Sequence, residues 1–195
     1  MAISTEPKEI QTYIHQYDFL ADGFSMQNYN ACKTLIAKNC PAKSATPDCT
    51  NTLTKEPSCE QLGKLSQAIG SQMALVAVKE QGNVMLVSQA FIADGQDEYY
   101  IITSTKQLID TNIDPFKLDT RLQKKYKNAT LLPLHSGAPK VKRLPNKQVF
   151  TFSMKAHDTC LACKIILAYD LQFSFDKKGK FIDAILLNID SRISK

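Results

Sequence analysis

The amino-acid sequence predicts an α+β fold: disulfide-stapled N-terminal helices packed on an antiparallel β-sheet of roughly five to seven strands, with one inserted helix. Three observations lead there. Apolar residues recur at helical spacing up to residue 70 and at period two from Met73 onward. Four of the six cysteines crowd a polar stretch between Cys32 and Cys59. The last thirty or so residues alternate apolar and polar on either side of one tight turn. A chain of 195 residues holds one well-packed core, so residues 1–195 are expected to form a single domain. Within it, 1–70 is the stapled helical subregion and 71–195 is mainly antiparallel sheet.

Each element has a local cause. Thr5-Glu-Pro-Lys8 offers a cap region with proline near the first turn, and Ile10, Ile14, Tyr17, Leu20 and Ala21 follow as one helical stripe. Ser25 caps a second helix carrying Met26, Tyr29, Cys32, Leu35 and Ile36, stopped by Asn39-Cys-Pro41. Ser58 and Gln61 form a capping-box pattern for a third, ending at Gly70. Leu75–Val78 and Val84–Val87 read as strands joined through Gln81-Gly-Asn83, and Asp94-Gly95 turns the chain into a strand over Glu98–Thr103. Asp114-Pro115 opens the inserted helix, expected over 115–127. A basic loop with His135 and Leu144-Pro-Asn146 follows, then a strand over Gln148–Met154. Ile165 to Phe175 and Phe181 to Ile189 form the closing hairpin around Asp176-Lys-Lys-Gly179.

The segment between Cys40 and Cys59 has little apolar material, so burial cannot offset the entropy of ordering it. Covalent staples are the natural device, and they belong to an oxidising compartment. Cys32, Cys40, Cys49 and Cys59 are expected to pair among themselves, with Cys32 reaching the Cys49–Cys59 region, and Cys160 to pair with Cys163. No basic region followed by an apolar core stands after Met1. Either the protein is cytosolic, or it is a mature chain whose leader was replaced by an initiator Met. The stapled segment favours the second, a secreted or periplasmic protein. No run is long and apolar enough to form a transmembrane helix.

Net charge is +5, and its distribution matters more than its sum. From Arg121 to Lys155 there is no Asp or Glu, while Lys124, Lys125, Lys127, Lys140, Lys142, Arg143 and Lys147 all fall there. That set is the candidate surface for an anionic partner, an envelope surface or a protein face. The plainer reading is a solvated basic face that keeps the chain soluble. Nucleic acid is disfavoured, because only Tyr126, Phe150 and Phe152 could stack with bases and the two Phe alternate as core residues do.

His157, Cys160 and Cys163 form the one local motif that carries chemistry. A Cys-x-x-Cys pair exchanges disulfides best when its first Cys sits at a helix N-terminus, and a strand follows Cys163 instead. Zinc would need a fourth ligand, with only His15, His135 or Asp158 to supply it. Haem attachment needs a histidine where Lys164 stands. A structural disulfide at the hairpin entrance is the leading reading, and no metal or cofactor is called for. No hydrolase, P-loop or dinucleotide motif appears.

His157-x-x-Cys160-x-x-Cys163, an alternating strand and Phe175-Asp-Lys-Lys-Gly-Lys-Phe181 together resemble a pattern in uncharacterised bacterial envelope or secreted proteins. The resemblance covers the C-terminal third only. It implies a bacterial exported protein and brings no activity with it. The expectation is therefore a non-catalytic secreted or periplasmic binding module with a basic face. Its rivals are a thiol–disulfide oxidoreductase using Cys160, Cys163 and His157, and a hydrolase assembled from distant residues.

Overall fold

Period-two patterning from residue 76 onward is realised as strands whose two faces meet different neighbours. In a computed structural model the described residues are 3–4, 10–21, 23–40, 47–90, 97–127, 129–160 and 163–190. The strands are β1 (Ile3–Ser4), β2 (Ile14–Gln16), β3 (Val76–Gln81), β4 (Val84–Ala90), β5 (Asp97–Ile102), β6 (Gln107–Asp110), β7 (Leu131–His135), β8 (Lys140–Arg143), β9 (Lys147–Asp158), β10 (Ile165–Asp176) and β11 (Phe181–Asp190). They build two antiparallel sheets. An inner five-stranded sheet runs β2-β6-β5-β4-β3, and an outer six-stranded sheet runs β1-β11-β10-β9-β7, with β8 also paired to β9. The helices are α1 (Asp18–Ala21), α2 (Met26–Asn39), α3 (Pro47–Thr52), α4 (Glu60–Ala68), α5 (Pro115–Leu118) and α6 (Thr120–Lys125).

The inner sheet is buried on both faces, which is why β5 reads Tyr99-Tyr-Ile-Ile102 with all four residues buried. Tyr99, Ile101, Ile109 and Val84 face the outer sheet and meet Phe150, Phe152, Leu171, Phe173 and Phe175. Phe150 packs edge-on against Phe175 and Phe152 against Phe173, with ring centroids 5.6 and 5.7 Å apart. Tyr100, Ile102, Leu108, Val76, Val78 and Val87 face the helices and meet Tyr29, Cys32, Ile36, Leu62 and Leu65. Each such fully buried side chain contributes about 1.5–3 kcal/mol. The molecule is thus a helical layer, an inner sheet and an outer sheet around two cores.

Helix α2 follows its expected cap: Ser25 Oγ accepts from the Asn28 N–H at 3.2 Å. Helix α4 begins at Glu60 with Cys59 as its cap residue and no side-chain capping bond, so the Ser58–Gln61 box does not form. The single helix expected across Ile10–Ala21 does not form either. A 3₁₀ turn (Gln11–Tyr13), β2 and the four-residue α1 take its place. The apolar stripe is divided between two cores: Ile10 and Ile14 enter the one between the sheets, while Phe19 and Leu20 enter the one under the helices. Pairing of Ile14 with Ile109 and of Gln16 with Gln107 outweighs the helical spacing. The inserted helix is likewise two short ones, because Asp119 at φ −143° leaves the helical region and caps α6 through the Arg121 N–H at 3.0 Å. The cap expected at Thr5–Lys8 and the turn at Asp94-Gly95 lie outside the described residues.

All six cysteines are oxidised. Cys32 pairs with Cys59, Cys40 with Cys49 and Cys160 with Cys163. The first bond joins α2 to the start of α4, and the second ties the end of α2 to α3. Among the described residues no helix is long and apolar enough to cross a membrane.

Candidate functional site

Four hairpin tips converge at one end of the sandwich, and their sequences dictate how closely. The β10–β11 turn is closed by Asp176, whose Oδ1 accepts from the Lys178 and Lys180 N–H groups at 2.8 and 2.9 Å. Those backbone donors, Lys180's first, hold the Asp176 carboxyl below the usual carboxylate range. Gly179 takes φ +83°, and a Cβ there would overlap the Asn83 carbonyl oxygen of the β3–β4 turn. Glycine is therefore what lets the two tips touch. Asn83 Nδ2 donates to the Lys177 carbonyl across this contact, and the Ser104 N–H donates to the Gly179 carbonyl at 3.1 Å. Gln148, at the start of β9, donates from Nε2 to the Gln81 carbonyl at 2.9 Å.

These contacts frame a concavity of about 200 Å³ to which Arg143, Leu144, Lys147, Asn83 and Lys177 contribute, together with Asp176, whose carboxylate is taken up by the backbone N–H groups of its own turn. The cations come from two turns 30 or more residues apart. None of Arg143, Lys147 or Lys177 is in an ion pair within the described residues. Leu144 stands among them beside the β8–β9 turn, its N–H donating to the Lys147 carbonyl across Pro145-Asn146, with 36% of its surface exposed. Arg143 also closes β8, an edge strand exposed at all four positions, Lys140 to Arg143. Basic residues on an edge strand discourage pairing with other chains, which accounts for Lys140 and Lys142 without any partner. It does not account for Lys147 and Lys177 gathering around an exposed leucine.

The basic run read from the sequence is divided along β9. Lys140, Lys142, Arg143 and Lys147 lie at its start, whereas Lys124, Lys125 and Lys127 share a second concavity with Asp158 at its end. The 12 residues of β9 put roughly 36 Å between those ends at about 3.3 Å per residue. Lys124 and Lys125 occupy the last turn of α6, where cations complement the helix dipole, and Lys125 Nζ lies 5.1 Å from the centre of the Tyr126 ring. Local structure thus explains that second group. Lys177 belongs to the first, and only the fold brings it there.

His157, near the end of β9, and Cys160 and Cys163, in the connection between β9 and β10, stand at the same far end. His157 Nδ1 donates to the Cys163 carbonyl at 3.0 Å, so the imidazole bonds the backbone of the loop. Thr159 adopts φ +59°, and its N–H ties the loop to the Thr130 carbonyl at 2.8 Å. Strand β10 begins at Ile165, two residues after Cys163, so the pair is followed by a strand and not by a helix. Among the described residues no three His, Cys, Asp or Glu side chains are grouped as a metal site would need. Compared with protein-family models, with curated proteins and with solved structures, the chain matches none.

Proposed function

We propose that this protein is an exported, non-catalytic module that docks on an anionic lipid surface through its clustered hairpin tips. The observation that carries the reading is the arrangement of Arg143, Lys147 and Lys177 around the exposed Leu144. Cations in no ion pair attract acidic headgroups, and an exposed apolar side chain beside them gains by entering the interface. A nucleic acid or a glycan would reward the cations and leave Leu144 unused. Three disulfides support export, because such bonds persist in oxidising compartments. The resemblance of the C-terminal third to bacterial envelope and secreted proteins points the same way. The thiol–disulfide alternative gains nothing from the surroundings of Cys160, where the helix N-terminus that would activate a thiolate has no counterpart.

Co-sedimentation with vesicles tests the reading. Each basic residue near such a surface contributes about 1 kcal/mol, so Arg143→Gln, Lys147→Gln and Lys177→Gln together should lower the partition onto phosphatidylglycerol vesicles roughly 100-fold. Lys124→Gln, Lys125→Gln and Lys127→Gln together should lower it far less. Equal losses in the two triple variants, or no binding at low salt by the unaltered protein, would overturn the proposal.

A further inference from the structure

Strands β7 and β8 lie on the same edge of β9, but their registers disagree. His135 faces Met154 and Lys140 faces Thr151, so the four residues 136–139 stand opposite only Phe152 and Ser153. The chain bulges there, turned by Gly137 at φ +129° and pinned where the Ser136 N–H donates to the Ser153 carbonyl at 2.7 Å. Beside the bulge the two sheets leave a cleft of about 420 Å³, within the size range of small-molecule sites. Asp97 and Tyr99 of the inner sheet line it together with His135, Gly137 and Ala138 of the outer sheet.

Strand alternation decides which charges face this cleft. The Tyr99 ring packs on His135 and Phe152 of the outer sheet, with centroids 5.1 and 5.7 Å away. Asp97, two residues earlier on β5, is on that same face, and its Oδ2 accepts the Tyr99 hydroxyl at 3.3 Å. Glu98 between them faces the helices and accepts the Tyr100 hydroxyl at 3.2 Å. Lys155 borders the cleft, but its place in β9 sends its side chain with Ser153 to the outer face of the outer sheet, where Ser153 Oγ donates to Asp170 at 2.8 Å. Among the described residues, Asp97 is thus the charged side chain on the cleft side.

The polar groups beside it are acceptors. Thr111 Oγ1 donates to the Tyr99 carbonyl at 2.5 Å, leaving only lone pairs for His135 Nε2 at 2.9 Å. Nε2 therefore carries the imidazole proton and Nδ1 keeps a lone pair. Among the described residues Nδ1 has no hydrogen-bond partner, and it is not sealed in the core, so it opens on the cleft. Burial keeps the ring neutral, with its pKa brought down to about 4. Burial and the Asp97 carboxylate push the Tyr99 phenol up to about 12, so it keeps its proton for Asp97 and offers its own oxygen as an acceptor.

We infer that this cleft binds a protonated primary amine. Its three N–H groups match three acceptors, the Asp97 carboxylate, Tyr99 Oη and His135 Nδ1, and its charge meets that of Asp97. An anion would face Asp97 with no cation on the cleft side to offset it, and a neutral ligand would leave that carboxylate without a counter-charge. The carbon chain of the amine lies along Gly137 and Ala138, whose small side chains keep the cleft open.

Titration calorimetry and amide NMR with butylamine, putrescine and phenethylamine as probes test the inference. At least one should saturate at millimolar concentration and shift the Gly137 and Ala138 amide signals. Asp97→Asn changes an exposed side chain, keeps an acceptor for the Tyr99 hydroxyl and should weaken binding at least about tenfold. Trimethylation of the bound amine preserves its charge but removes its N–H groups, and should weaken binding as much. Failure of all three amines to saturate, binding that survives Asp97→Asn or trimethylation, or butyrate shifting the same amide signals as strongly, would overturn the assignment.

Discussion

At the scale of single residues, His135 is the most consequential buried polar group. Its imidazole sits between two aromatic rings in the core between the sheets, and among the described residues its side chain takes only Thr111 as a hydrogen-bond partner. Burial lowers its pKa from 6.5 to about 4, so between those values the unfolded chain binds a proton that the native protein refuses. Stability rises with pH wherever the unfolded state holds more protons. The contribution is therefore fully present above pH 6.5 and is lost as the pH falls to about 4. At about 1.4 kcal/mol per unit, the loss is on the order of 3 kcal/mol. We predict that urea midpoints fall between pH 7 and pH 4 more steeply in the unaltered protein than in His135→Gln. Parallel pH profiles would contradict the neutral, desolvated imidazole. Nothing in the local sequence marks this residue. Ser136-Gly-Ala-Pro139 signals only a loop, and the aromatic neighbours come from strands far along the chain.

At the scale of elements, the three disulfides differ in the chain they restrain. Cys32–Cys59, Cys40–Cys49 and Cys160–Cys163 span sequence separations of 27, 9 and 3 residues. Loop-closure entropy then assigns them about 3.5, about 2.5 and about 2 kcal/mol. Cys32 and Cys59 are also fully buried, so serine there adds unsatisfied hydroxyls in the core beneath the helices. We predict that Cys32→Ser with Cys59→Ser destabilises most in urea unfolding and Cys160→Ser with Cys163→Ser least. The reverse order would mean that the N-terminal helices hold without their staple. Elements whose own residues decide their structure were legible: α2 from its serine cap and stripe, and β10–β11 from period-two alternation around Asp176–Gly179, though the pairing carries two register shifts. Elements decided by distant partners were not. Pro133 argues against a strand, yet β7 tolerates it as an edge strand paired on β9. The exposed Lys-Val-Lys-Arg of β8 has no apolar alternation to read, and Ile10–Ala21 has helical spacing although its apolar residues serve two cores.

At the scale of the whole molecule, the account depends on where the charge of +5 is placed. The acid-free stretch from Arg121 to Lys155 is plain in the sequence, but it is not one face. Strand β9 carries its two halves to opposite ends; the end with the hairpin tips adds Lys177 and the exposed Leu144, and the other end has the equally exposed Leu132. Attraction between exposed charges is screened over about 8 Å at physiological ionic strength, so docking through this end should weaken steeply as salt rises. The most direct measurement uses the absence of tryptophan from the chain. Leu144→Trp places a single indole within the cluster, and its fluorescence reports whether that side chain enters a lipid interface. The account predicts a blue shift and protection from iodide on phosphatidylglycerol vesicles, reversed by salt and absent on phosphatidylcholine. An emission spectrum unchanged by the anionic vesicles, or shifted equally by both surfaces, would contradict it.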